Sequence, residues 1–153
     1  MATIVKPPEK VQWKSLKSVF LAGTIDNGNS TDWQSSLEQS LSDLDVLILN
    51  PRRDEWDATW AQPINNPVFK QQVEWELEGL ERADYIFIYF APNSQSPITL
   101  LELGLHARKQ NIILVCPEGF WRRGNIEVVA NRYNIPLYET IEEGRDVLIE
   151  QIR

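Results

Sequence analysis

Glu102 stands in the run Ser96-Pro97-Ile98-Thr99-Leu100-Leu101-Glu102-Leu103-Gly104-Leu105, a carboxylate set among leucines. Ser96 followed by Pro97 reads as an N-cap and first helical residue, because the N–H that proline lacks would have no partner at a helix start. Glu102 then lies in the second turn. A carboxylate enclosed by apolar side chains has its position and basicity set by a few neighbours, which suits a covalent nucleophile. The same residues admit a second reading: with Thr99 as the N-cap, Thr99-x-x-Glu102 is a capping box and Glu102 only reaches back to a backbone N–H. Further carboxylates lie in Val73-Glu74-Trp75-Glu76-Leu77-Glu78-Gly79-Leu80-Glu81. Glu74, Glu78 and Glu81 share a helical face and read as a solvated stripe. Glu76 is out of phase with them and nearer the phase of Val73 and Leu80, so it points partly inward. Two inward carboxylates at neighbouring strand ends allow nucleophilic and acid/base roles to be divided.

These residues need a scaffold, and the apolar pattern supplies one. Residues 18–22, 45–49, 85–90 and 111–116 are short, nearly continuous runs of apolar, β-branched and aromatic side chains, as strands buried on both faces of a parallel sheet require. Helical patterns alternate with them at about 31–41, 69–82, 97–109, 126–132 and from Ile141 onward. The alternation predicts an α/β fold: a single flavodoxin-like, doubly wound domain of about five parallel strands in the order 2-1-3-4-5, over residues 18–153 and preceded by an extension at 1–17. Ligands of such sheets bind beyond the carboxyl ends of the strands, where the strand order reverses. After the first strand comes Ala22-Gly23-Thr24-Ile25-Asp26-Asn27-Gly28-Asn29-Ser30. Gly23 permits close backbone approach, and Thr24, Asp26 or Ser30 can hydrogen-bond a sugar. After the second comes a long connection, residues 50–67, carrying Arg52, Arg53, Asp54, Trp56 and Trp60. Its tryptophans suit the mouth of a site for a flat heteroaromatic ligand, or simply cover the sheet edge.

Composition narrows the function. With 153 residues the chain is long enough for one domain, and 42% hydrophobic with 24% charged residues is the balance of a globular protein. A net charge of −7 without a basic cluster disfavours a nucleic-acid polymer as partner. The chain carries no apolar run of membrane-spanning length and no apolar leader, so a cytoplasmic protein without membrane association is expected. One cysteine, Cys116, and one histidine, His106, argue against a disulfide or a catalytic zinc site, and no metal is expected. Neither GxGxxG nor GxxxxGK[ST] occurs, which disfavours nicotinamide chemistry and nucleotide-driven motion.

Phe20-Leu21-Ala22-Gly23-Thr24, Trp75-Glu76-Leu77-x-Gly79-Leu80-x-x-Ala83-Asp84 and Leu101-Glu102-Leu103-Gly104-Leu105-His106-Ala107 together resemble the nucleoside 2-deoxyribosyltransferase-like family. The likeness spans roughly residues 18–138. It implies a cofactor-free enzyme that exchanges the base of a 2'-deoxyribonucleoside for a free nucleobase through a covalent deoxyribosyl-glutamate intermediate, with that glutamate at Glu102. By the same resemblance Glu76 contacts the base, and Asn125 is donated to a neighbouring subunit's site, which implies a homo-oligomer. Asp26, Asp54 and Trp56 are further candidates for sugar and base contacts. The chain departs from the family pattern in three places. Ser96 stands where typical transferases have an aspartate that helps protonate the base; serine there resembles the 2'-deoxynucleoside 5'-phosphate N-hydrolases, in which serines bind the phosphate. Phe20 replaces a tyrosine that orients the glutamate, and Tyr89 is a candidate to take over that role. The C-terminus lacks a terminal aromatic. The alternatives to transfer are therefore hydrolysis of deoxynucleoside monophosphates, or a nucleotide-binding module without turnover.

Overall fold

Alternation along each apolar run divides its side chains between two faces of a sheet, and the two buried clusters follow that parity. In the second strand Phe20 and Ala22 join one cluster and Val19 and Leu21 the other. In the fourth, Ile86 and Ile88 oppose Phe87 in the same way. The computed structural model describes residues 1–13, 16–25, 31–52 and 66–153. Its strands are β1 (Thr3–Val5), β2 (Lys17–Gly23), β3 (Val46–Leu49), β4 (Tyr85–Tyr89), β5 (Ile112–Val115) and β6 (Leu137–Tyr138). They form one sheet in the order β1-β3-β2-β4-β5-β6, and every pair in it is parallel. The expected order holds for β2 to β6, and β1 adds an edge strand beside β3.

The helices are α1 (Trp33–Ser40), α2 (Pro67–Arg82), α3 (Pro97–His106), α4 (Arg123–Arg132) and α5 (Ile141–Ile152), with a 3-10 turn at Ala107–Lys109. Leu80 of α2, Leu103 of α3 and Ile126 and Ala130 of α4 cover one face of the sheet, together with Phe20, Leu49 and Ile88. Trp33 and Leu37 of α1 and Leu148 and Ile152 of α5 cover the other. Both sheet faces are thus sealed, which is why the strands read as continuous apolar runs rather than alternating ones. No helix among the described residues is long and apolar enough to cross a membrane.

Local signals fix the helix ends that matter. Asn66 caps α2 by accepting from the N–H groups of Val68 and Phe69, with Pro67 in the first turn. α2 is seated closely, because a Cβ on Gly79 would lie 2.8 Å from the Phe20 ring and 3.0 Å from Leu49. Only a residue without a side chain lets the helix axis come this near to β2 and β3.

Candidate active site

The strand order reverses between β3 and β4 on either side of β2, and the carboxyl ends of β2 and β4 meet there. Gly23 pairs with Tyr89 in register. It has φ +150, and a Cβ on it would lie 2.4 Å from the Tyr89 carbonyl oxygen and 2.7 Å from Trp33. Its role is to permit that close approach. Next, the Thr24 N–H donates to the Tyr89 carbonyl at 3.0 Å, and the Trp33 indole N–H donates to the Thr24 carbonyl at 3.0 Å. The backbone at the top of β2 is thereby fixed from both sides.

The Thr24 side chain lies in a buried hydroxyl cluster. Its Oγ1 accepts from the Ala91 N–H at 2.9 Å and lies 2.6 Å from Ser96 Oγ and 3.1 Å from Ser94 Oγ. The two serine hydroxyls are 2.7 Å apart, and Ser94 donates to the Ala91 carbonyl at 2.8 Å. Since the Ser94 proton goes to that carbonyl, Ser94 Oγ can accept from Ser96. Sequence pattern alone does not single out Ser94, although the Ser94-Gln95-Ser96 spacing places two hydroxyls ahead of the helix. Ser96 occupies the N-cap position of α3 in a left-handed conformation, φ 47 and ψ 53, but its side chain makes no capping bond. The expected cap is therefore correct in position and not in bonding, because the hydroxyl is turned to Thr24 and Ser94. The capping box is absent too: Thr99 lies inside α3, which begins at Pro97, and is buried on the same face as Glu102, Leu103 and His106.

Glu102 is buried, and its carboxyl is hydrogen-bonded to that of Glu76. Burial first, then the charge of Glu76 and that hydrogen bond, push the Glu102 carboxyl up from the usual glutamate range to about 8. Its apolar surroundings differ in detail from the sequence expectation. Leu103 is buried beside it, whereas Leu101 and Leu105 face outward with Ile98. Glu76 is half-buried on α2 and lies on the side of Gln72, Gly79 and Leu80; Val73, expected to share its phase, is exposed. Gln72, four residues earlier and buried, donates through Nε2 to Glu76 Oε2 at 2.8 Å and to the Pro51 carbonyl at 3.0 Å. The i, i+4 spacing of Gln72 and Glu76 was the signal that could have revealed this contact.

Two carboxyls sharing a hydrogen bond, one on each of two neighbouring helices, can divide a nucleophilic and a proton-transfer role. A family model described as nucleoside 2-deoxyribosyltransferase-like matches residues 16–120, well over half of the chain. The chain belongs to that family. Membership in the nucleoside 2-deoxyribosyltransferase-like family carries a nucleoside-modifying function of that general kind. No curated protein matches the chain.

The other expected residues are spread more widely. Asn125 is exposed on α4. Asp26, Asp54 and Trp56 lie outside the described residues, as does most of the 50–67 connection. Tyr89 does not take the place of the tyrosine that Phe20 replaces. Its ring packs 5.4 Å from Trp33, and burial and the charge of Glu142 on α5 raise its hydroxyl, so it faces the α1 and α5 side of the sheet, away from α3. Phe20 is fully buried on the α2 side, 5.9 Å from the Trp75 ring. A groove of about 560 Å³ between the N-terminal segment and α2 is lined by Trp13, Trp75 and Arg82 and by none of the expected site residues. Among the described residues no three His, Cys, Asp or Glu side chains gather as a metal site would need.

Proposed function

We propose that the protein exchanges the base of 2'-deoxyribonucleosides, with Glu102 as nucleophile and Glu76 as proton carrier. The observation that carries this reading is the hydrogen-bonded Glu102–Glu76 carboxyl pair at the strand ends. A buried pair with a shared hydrogen bond retains one proton over a wide pH range, since two neighbouring carboxylates repel. That proton passes from Glu102 to Glu76 as substrate settles. The Glu102 carboxylate then attacks C1', the C1'–N bond breaks with its electron pair going to the base, and Glu76 protonates the departing nitrogen. In the second half an acceptor base attacks C1', the ester bond returns its electrons to Glu102, and the proton lost by the acceptor goes back to Glu76. The oxocarbenium character of both transition states is stabilised by the carboxylate on the opposite face. No cofactor enters these steps.

In this reading Gly23, Thr24 and Ser96 bind substrate, and Asp26, Asp54 and Trp56, outside the described residues, are candidates for sugar and base contacts. The Ser96 hydroxyl is held by Thr24 and Ser94. A homo-oligomer with Asn125 donated across the interface is part of the same reading. It is supported by the exposed position of Asn125 and by an apolar stripe on α3, where Ile98, Leu101 and Leu105 are 60%, 58% and 55% exposed. The test is chromatography of the protein with a 2'-deoxynucleoside and a different free base, with the 5'-monophosphate in parallel. A new deoxynucleoside that forms only with the acceptor base is expected. Free base and deoxyribose 5-phosphate arising only from the monophosphate would make the protein an N-hydrolase. Binding without base release would make it a sensing module. Glu102→Ala is expected to abolish turnover while the melting profile stays that of a folded protein.

A further inference from the structure

The contacts of Gln72 extend the site beyond the carboxyl pair. Gln72 is buried, and its amide N–H groups bridge Glu76 Oε2 at 2.8 Å and the Pro51 carbonyl at 3.0 Å. The Pro51 carbonyl is a firm anchor because the residue before it is held on every side. Asn50 is fully buried, and its backbone N–H donates to the Val5 carbonyl at 3.0 Å. Its Nδ2 donates to Glu38 Oε2 of α1 at 2.9 Å, and its Oδ1 accepts from the Arg52 N–H at 3.0 Å. Through the Asn50–Pro51 peptide, the hydrogen bonds of Asn50 to α1 are thus joined to those of Gln72 with Pro51 and Glu76. We infer that Gln72 is a positioning residue for the proposed reaction: anchored to the end of β3, it fixes Glu76 Oε2 in place and makes Glu76 the stronger proton donor of the pair.

The chemistry follows from what an amide donates. A hydrogen bond given to a carboxylate favours its ionised form, so Gln72 lowers the proton affinity of Glu76 and leaves the resting proton on Glu102. An acid so tuned releases its proton to a departing base more readily than an unassisted glutamate. The planar amide, held at two points, also fixes the direction of the Glu76 carboxyl, and small misplacements of such a group slow reaction steeply. Among the described residues, Glu76 faces Glu102 from α2, His106 lies one turn further along α3, and Arg52 after β3 contacts the Thr31 carbonyl, Gln34 and Asp32.

This inference rests on the proposed base exchange, and the experiment separates the two. Gln72→Met keeps the length and removes the donors; Gln72→Lys restores a donor and adds a positive charge. For each variant and the wild type, the pH dependence of kcat is measured, together with a substrate-free carbon-13 titration of the glutamate carboxyls. With Met, kcat is expected to fall by about tenfold or more with KM within about twofold, and the pair's titration and the alkaline limb of kcat move to higher pH. With Lys, both move to lower pH. Shifts of opposite sign are not produced by loosened packing, so the Lys variant keeps the inference testable if the Met variant folds poorly. Base exchange that persists in either variant with unmoved titrations would overturn the role of Gln72 alone. Shifted titrations in a protein that exchanges no base would overturn the proposed reaction and leave the Gln72 contact as a brace for the carboxyl pair.

Discussion

Glu102 carries its proton to higher pH in the folded protein than in the unfolded chain, and the sign of the consequence is definite. Between the ordinary glutamate value of 4.5 and about 8, the native state holds a proton that the unfolded state has released. Stability therefore falls as pH rises through that window. Glu102→Gln keeps a hydrogen-bond donor for Glu76 and cannot ionise, so its melting temperature should exceed that of the wild type at pH 8 and converge on it near pH 5. Scanning calorimetry across that range checks the prediction. The hydroxyl cluster makes a second residue-level case. Thr24→Val conserves shape but removes the Oγ1 that the Ala91 N–H donates to and that Ser96 and Ser94 contact. Leaving this half-buried donor without its acceptor costs about 1 kcal/mol, to be read from urea denaturation. The identity of these residues was plain in the chain. Their engagement was not, because a serine before a proline looks like a cap whether or not its hydroxyl turns back to the helix, and at Ser96 it turns to β2 instead.

Two elements, α2 and α3, deliver the carboxyls, and their closeness depends on how deeply α2 sits. Gly79 lies three residues after Glu76 on the inward side of α2, with no room for a Cβ before the Phe20 ring. Gly79→Ala should lift α2 from the sheet, at a cost of about 1–3 kcal/mol for overpacking. Because Glu76 rides on the same helix, kcat should fall while the fold persists; thermal melting and steady-state kinetics together distinguish this from simple unfolding. Helix periodicity made α2 and the inward phase of Glu76 legible. It also grouped Val73 with that phase, whereas Val73 is exposed and Gln72 takes the inward place. Positions 72 and 73 differ by about 100° around the axis, so a phase argument over one or two turns does not decide between them.

At the level of the whole molecule, an apolar stripe faces outward on α3 at Ile98, Leu101 and Leu105, with Val128 exposed on α4. If the proposed oligomer forms through this stripe, Leu101→Asp should shift sedimentation toward the monomer and lower activity with it, while the melting curve changes little because Leu101 is not part of the core. An unaltered sedimentation profile would remove the stripe from the interface. The sequence by itself determined the parallel α/β architecture, the four strands β2 to β5 and the helix that bears Glu102. Those follow from periods of two and 3.6 residues and from the rule that parallel strands need crossovers, all of which are written locally in the chain. Only the tertiary structure decided that Glu76 and Glu102 share a hydrogen bond, that Gln72 ties Glu76 to the end of β3, and that Tyr89 belongs to the opposite sheet face. The physical reason is that the groups in each of these contacts come from separate elements or separate turns. Their meeting is set by helix depth, strand register and the choice of sheet face, none of which a local pattern encodes.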